Sequence, residues 1–474
     1  MRYKNPILTR DMSDPDVVKY GDDFYMVTSS FHYVPGLPIF HSKDLVHWEH
    51  VGYAILTMPE GYETVRPGAG AWAPSFRYHD GYFYITVGFP DEGIFVYRSQ
   101  NPSSGYVLHS KILEGKGYED PCPVWIDNRA YIVFAFAKSR AGFNGKLALI
   151  EVTNDLSKTS FDHYEIIYDG EKDGNRAIEG PKVHKVGNEI HILCPAGGVP
   201  YGWQVELVSS SIHGPYQSIL VLEQGKTKIN GPHQGALLRI KDNEFAFLHF
   251  QDQGNQGRIL RLEPAYYDYG HFIIGDKGEP VEEGEISLPP FEASIPTSDS
   301  MQEGLSPLWQ TSCQIDRNLF LRQEGDGVRL ATTPLESDIH HFERVLSRPL
   351  SFFKEKITIH VDGNDLGEGS EAGLLFLGEW NLRVYLKKEN GRYAIYSTYQ
   401  GEYEETRYLG AAKEESDLYL VWKHPDSGLV TMEDGEQIAY PLMQEKWTGI
   451  RIGFYTIGPS GSAKFSLFEE KELR

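Results

Sequence analysis

EDPCPVWIDNRAYIVFAF, residues 119–136, sets a proline after an acid, runs a short apolar strand, turns at Asp127-Asn128 and returns as an apolar strand. The chain repeats that grammar in SDPDVVKYGDDFYMVTSS (13–30), WAPSFRYHDGYFYITVGF (72–89), EGPKVHKVGNEIHILCPA (179–196) and NGPHQGALLRIKDNEFAFLHF (230–250). The anchoring prolines are Pro15, Pro74, Pro121, Pro181 and Pro232, at intervals of 59, 47, 60 and 51 residues. Turn pairs are expected at Asp22-Asp23, Asp80-Gly81, Asp127-Asn128, Gly187-Asn188 and Asp242-Asn243, because Asp, Asn and Gly tolerate the positive φ of tight hairpins. Ser/Thr-rich ends follow in four copies: HSKDLVHW, YRSQNPSSGY, EVTNDLSKT and VSSSIHGPY. Each unit therefore has room for four strands, which is the content of a propeller blade. Five copies predict an all-β chain whose residues 1–290 form a five-bladed β-propeller; a β-sandwich there would need five coincidental prolines.

The stretch 289–304, PPFEASIPTSDSMQEG, reads as a linker. Beyond it EKITIHV, DLYLVWK and GIRIGFY alternate apolar and polar residues, and Asn390-Gly391 and Asp434-Gly435 signal hairpins. Residues 305–474 are expected to form a C-terminal β-sandwich.

The 474 residues carry a net charge of −22, which argues against nucleic acid or an anionic membrane as the main partner. Cys122, Cys194 and Cys313 are too few for a disulfide framework. The opening MRYKNPILTRDMSDPDVV has no signal-peptide core, and no stretch approaches the roughly 18–20 apolar residues of a membrane span, so a cytoplasmic soluble protein is expected. Zinc spacings, GxSxG, Walker and dinucleotide fingerprints are absent.

In a propeller the first strand of each blade lines the central axis, so matching repeat positions converge at one mouth. Just before the prolines stand Asp14, Ala73 behind Trp72, Asp120, Gly180 behind Glu179, and Gly231 with His233 just beyond. A lone Asp-Pro is ordinary turn punctuation. Asp14, Asp120 and Glu179 together are equipment for acid–base cleavage of a glycosidic bond, because burial and mutual repulsion keep one acid protonated near neutrality. Trp72 and Phe31 offer aromatic faces to a sugar ring, or else pack the blades. Arg258 could donate paired hydrogen bonds to hydroxyls, or else sit on the surface. His233 reads as an axial ligand for a hard cation or water cluster, as support for the acid, or as a core histidine. Cys122, two residues past Asp120, is expected on the same side as an inert neighbour.

SDPDVVKYGDDFYMVTSSFHYVPG, FHSKDLVHW, WAPSFRYHDGYFYI, YEDPCPVW and AIEGPKVHK resemble family 43 glycoside hydrolases, and GEPVEEGEISLP with the later sandwich resembles their two-domain members, which include β-xylosidases and α-L-arabinofuranosidases. The resemblance implies Asp14 as general base, Asp120 as the acid that orients and tunes, Glu179 as general acid, and Phe31, Trp72 and Arg258 as substrate contacts. It implies no cofactor for the chemistry, and a structural Ca2+ or water cluster at His233. It implies an inverting, exo-acting β-D-xylosidase on xylo-oligosaccharides, with an α-L-arabinofuranosidase on arabino-oligosaccharides as the alternative and a homo-oligomer as an option. Two-domain relatives often set a C-terminal aromatic over the pocket; no residue here is marked for it. A sugar-binding propeller without catalysis is the reading from another class, and the three acids weigh against it.

Overall fold

The computed structural model describes residues 1–333, 343–424, 427–431 and 437–473. Five four-stranded antiparallel blades follow one another along the chain, each built from consecutive strands. Their innermost strands are Asp16–Tyr20, Trp72–His79, Tyr118–Ile126, Lys182–Val186 and Gly235–Lys241. The apolar runs YITVGF and YIVFAF are second strands, buried on both faces between neighbouring blades. Phe76, Ile85 and Val87 of blade two pack on Val18, Val27 and Ile39 of blade one, and Ile132 and Phe134 of blade three pack on Tyr84 and Val96 of blade two. Four turn pairs fall where the sequence places them. The first is Gly21-Asp22, one residue early, because Tyr20 pairs with Asp23 and Gly21 takes the φ of +63°.

The N-terminal segment closes the ring onto blade five. Arg2–Lys4 pairs with Glu283–Glu285, and the Asn5 side chain donates to Leu262 O at 2.8 Å and accepts from Leu262 N at 2.9 Å.

The residue before each anchoring proline has positive φ: Asp14 54°, Ala73 43°, Asp120 56°, Gly180 58° and Gly231 43°. A Cβ is uncomfortable there and a following proline disfavours helical ψ, so three non-glycine residues hold a costly conformation at one repeat position. In blades two and three the kink shifts the register, between Trp72 and Ser75 and between Glu119 and Cys122.

One turn deeper an ion network ties three blades. Asp16 accepts from Phe76 N at 2.8 Å and Arg77 Nη1 at 2.6 Å, and Lys182 Nζ lies 3.5 Å from it. Lys182 also donates to Pro74 O at 2.9 Å and Ser75 Oγ at 2.8 Å. Cys122 belongs to this layer, accepting from Arg77 Nη2 at 3.3 Å. It does not share the side of Asp120, because the register shift falls between them.

Two sheets face each other in the C-terminal region around Trp309, Phe376, Trp422, Phe454 and Phe465. They begin inside the stretch read as a linker: Ser298–Asp299 pairs with the last strand, Ser462–Glu472, and Asp299 accepts from Trp309 Nε1 at 2.8 Å. Asn390-Gly391 makes the expected hairpin, with φ of 51° and 70°. Asp434-Gly435 lies outside the described residues.

Burial alone would raise the Asp16 carboxyl, but Arg77 and Lys182 outweigh it and hold it below its ordinary value. Its contribution to stability is therefore present above the unfolded-state pKa and lost as pH falls through the folded one. Asp16→Asn strands two buried cations and is expected to cost about 3–5 kcal/mol, read from the denaturant midpoint at pH 7. The gap from wild type should shrink below about pH 4.

Candidate active site

The kink before the proline lets two neighbouring side chains line the pocket in blades two and three, Trp72 with Ala73 and Glu119 with Asp120. The proline-minus-one row is Asp14, Ala73, Asp120, Gly180 and Gly231; the proline-minus-two row is Ser13, Trp72, Glu119, Glu179 and Asn230. From these rows Asp14, Trp72, Ala73, Glu119, Asp120 and Glu179 line one pocket of about 350 Å³, with Phe31, His233, Arg258 and Trp447. All the site residues named from the sequence are thus brought together. Asp14 and Asp120 share one row, and Glu179 belongs to the other.

Asp14 is held at both oxygens, accepting from Ser29 Oγ at 2.6 Å and Arg258 Nη1 at 2.9 Å. Ser29 Oγ in turn accepts from Ala73 N at 2.7 Å. Arg258 was expected to face hydroxyls; here it spends one donor on Asp14 while lining the pocket, its guanidinium 4.8 Å from the Phe250 ring centre. Asp120 accepts from Gly180 N at 2.7 Å, the peptide that follows Glu179. Position 180 takes only glycine: a Cβ would lie 2.8 Å from Gln234 Cδ and 2.9 Å from Pro195 Cδ.

Glu119, Asp120 and Glu179 each bring an oxygen within 4.8 Å of the other two, and Asp14 stands outside that cluster. The Glu179 side chain keeps 24% of its surface open to the pocket. Desolvation raises its pKa, Arg258 pulls it back and Asp14 pushes it up, for a net value of about 7. Asp120 is raised by burial, then by Glu179 and Asp14; Glu119 is raised by burial, then by Asp120 and Glu179. The cluster therefore retains protons at neutral pH, as proton donation requires.

Burial lowers His233 to about 3, so its ring is neutral. Its Nε2 lies 3.3 Å from Glu179 Oε1 without the alignment of a hydrogen bond, and both ring nitrogens are buried without a partner. One ligand position therefore fits there. His233 would hold an axial cation, whose charge would favour the ionised form of Glu179; calcium's other ligands are ordinarily oxygens.

Trp72 lies 6.3 Å from Phe31 and 6.1 Å from Trp447, ring centre to ring centre. Trp447, 37% exposed, comes from the sandwich. Its loop is pinned to the propeller by Gly449 N to Asp11 Oδ2, Ile450 N to Asn255 O and Asn255 Nδ2 to Leu442 O, all at 2.8 Å. Sequence reasoning named neither Trp447 nor Glu119. Trp447 sits in no repeat, and nothing local marks it. Glu119 was readable from the repeat, had the row of Glu179 been followed into blade three.

The profile of the family described as "Glycosyl hydrolases family 43" matches residues 3–272. A Xylanibacter ruminicola protein named as a candidate beta-xylosidase is 31% identical over 471 residues, 96% of this chain and 86% of its own length. A non-reducing end alpha-L-arabinofuranosidase of Bacteroides ovatus is 35% identical over 223 residues, 45% of this chain and 40% of its own. A beta-xylosidase of Formosa agariphila is 29% identical over 338 residues, 63% of this chain and 56% of its own. The crystal structure of a family 43 protein from Bacillus licheniformis superposes with a TM-score of 0.86 at 22% identity, covering 100% of both chains. A xylan beta-1,4-xylosidase from Bacillus halodurans gives 0.82 at 22% identity, covering 99% of this chain and 100% of its own. At these identities the structural likeness is one of fold, and it spans both domains.

Carboxyl carbon NMR should find Glu179 titrating near pH 7. Asp14→Asn removes a repelling charge and should lower that midpoint; Arg258→Met removes an attracting one and should raise it. A midpoint near 4.5, unmoved in either variant, would break the electrostatic account.

Proposed function

The chain belongs to glycosyl hydrolase family 43, and on that premise we propose that it releases β-D-xylose from the non-reducing end of xylo-oligosaccharides with inversion at the anomeric carbon. The observation that carries this reading is the pairing of Glu179, a proton donor poised near neutrality, with Asp14, an oriented carboxylate outside the acid cluster.

Asp14 takes a proton from water beneath the anomeric carbon, Ser29 and Arg258 fixing the oxygen that receives it. Glu179 passes its proton to the departing glycosidic oxygen. Asp120 holds the peptide after Glu179 and so the direction of the acid. An inverting pair needs about 6.5–9.5 Å between carboxyls to admit the water, and about 5 Å would serve retention.

Exo action is supported by the pocket's shape. The Asp16–Arg77–Lys182 network fills the axis two residues below Asp14, so a chain end can enter and a polymer cannot thread. Trp72, Phe31 and Trp447 close the sides. Xylose is favoured over arabinose by the relative that spans 96% of the chain. Arabinofuranoside cleavage is the second reading, supported by the shorter match to the Bacteroides ovatus enzyme.

Wild type is expected to turn over p-nitrophenyl β-xyloside faster than the α-L-arabinofuranoside, and NMR of the first product formed should show α-xylose. The opposite preference, or β-xylose first, would overturn substrate or stereochemistry respectively. kcat/KM should fall as pH rises through about 7, where Glu179 loses its proton. Nitrophenolate leaves without protonation and a sugar hydroxyl does not. Glu179→Ala should therefore lose about 10²–10⁴-fold on xylobiose and far less on the nitrophenyl glycoside, whereas Asp14→Ala should lose heavily on both.

A further inference from the structure

Glu119 lines the pocket, and the acid–base mechanism gives it no work. Its place in the repeat is informative. In blade two the same position carries Trp72, which walls the pocket, and in blade four it carries Glu179. Adjacent residues of a flat strand face opposite ways. The φ of +56° at Asp120 and the register shift after Glu119 turn both acids to one side, so both line the pocket. The backbone is held there by close packing: a Cβ on Gly88 would lie 3.1 Å from Glu119 Cα.

The surroundings of the carboxyl are unusual. Asp14 accepts from Ser29 and Arg258, and Asp120 accepts from Gly180 N. Glu119 is only 7% exposed, yet no protein donor reaches its carboxyl among the described residues. Arg140, the cation that acts on it, is engaged by Asp91 at 3.3 Å and by Gly68 O at 3.3 Å. Trp72 Nε1 and Gln234 Nε2, in the same pocket, are buried without a partner. Unpaired buried polar groups cost free energy that a hydroxyl-bearing ligand would recover. Burial beside two other carboxyls favours the neutral acid, which both donates and accepts, as a sugar hydroxyl does.

We propose that Glu119 is a substrate-binding residue: its carboxyl hydrogen-bonds one hydroxyl of the sugar whose bond Glu179 breaks, and the pocket selects its sugar by that hydroxyl. The proposal rests on the glycosidase reading above and deepens it.

The test is a set of cycles with wild type, Glu119→Ala and Glu119→Gln on p-nitrophenyl β-xyloside and its 2-, 3- and 4-deoxy forms. Glu119→Ala is expected to lower kcat/KM on the parent by about 10²-fold. On one deoxy glycoside wild type should fall to a similar level and the substitution should cost little more, while on the other two it should cost its full amount. Glu119→Gln, which keeps the shape and part of the hydrogen bonding, should show a smaller loss that vanishes on the same deoxy position; it carries the test alone if the alanine variant does not fold. The high-pH limb set by Glu179 should stay in place in both variants. Wild-type activity in either folded variant, or a loss independent of the missing hydroxyl, overturns the proposal. If wild type cleaves hexosides and no pentoside, the pentose reading falls instead, and the same cycle run on deoxy-hexosides still decides Glu119.

Discussion

The left-handed residue before each anchoring proline is the constraint on which the rest of the propeller's function depends. It kinks the head of every blade at the same repeat position, and in blades two and three it turns two successive side chains into one pocket. The choice of acid follows from it. Where a Cβ is tolerated at the kink, in blades one and three, the acid is a short Asp on the kinked residue itself. In blade four Gln234 and Pro195 leave no space for a Cβ, so the kink is Gly180. The acid then moves one residue back and lengthens to Glu179. The strained φ at Asp14, Ala73 and Asp120 is the local cost of that geometry, and it recurs in the blades that carry the base, the aromatic wall and the tuning acid.

Two layers of charge lie along the axis, and they are satisfied to different degrees. The deeper one sets Asp16 against Arg77 and Lys182 with good hydrogen bonds, so a buried carboxylate is kept ionised. The upper one crowds Glu119, Asp120 and Glu179 with little compensating cation, so protons stay bound. Excess acid in the second layer is tolerable because the first fixes the blades that carry it. Lys182 stands three residues after Glu179 and Asp16 two after Asp14, so the inner strands that deliver acid and base are fastened to each other just below the site.

How much of this could be read from sequence follows from what repeats. The blades were legible because proline, turn pair and apolar return recur five times, and the turn pairs erred only at Gly21-Asp22, where three candidates stand in a row. Asp14, Asp120 and Glu179 were legible because a repeat position becomes a spatial position around an axis. Glu119 shares the repeat row of Glu179, but strand alternation assigns it the face opposite Asp120, a conflict that the register shift resolves. The same shift misplaced Cys122 in the reading. The linker was misjudged at its end because Ser298–Asp299 pairs with a strand more than 160 residues away, which no local composition reports.

Trp447 shows where local reading ends, and it makes the second domain part of the site. Asp11, three residues before Asp14, accepts from Arg258 N at 3.0 Å with one oxygen and from Gly449 N at 2.8 Å with the other. A single half-buried carboxyl thus joins the strand that holds the base's partner to the sandwich loop that presents Trp447 to the pocket. The guanidinium of Arg258 in turn lies between Asp14 and the Trp447 ring, 5.9 Å from the ring centre. Displacing the loop would therefore remove one of the donors on Asp11 together with the pocket wall that Trp447 forms. The propeller alone supplies the acids and the hydrogen bonds on the base, and the sandwich adds the Trp447 ring beside the guanidinium that holds that base.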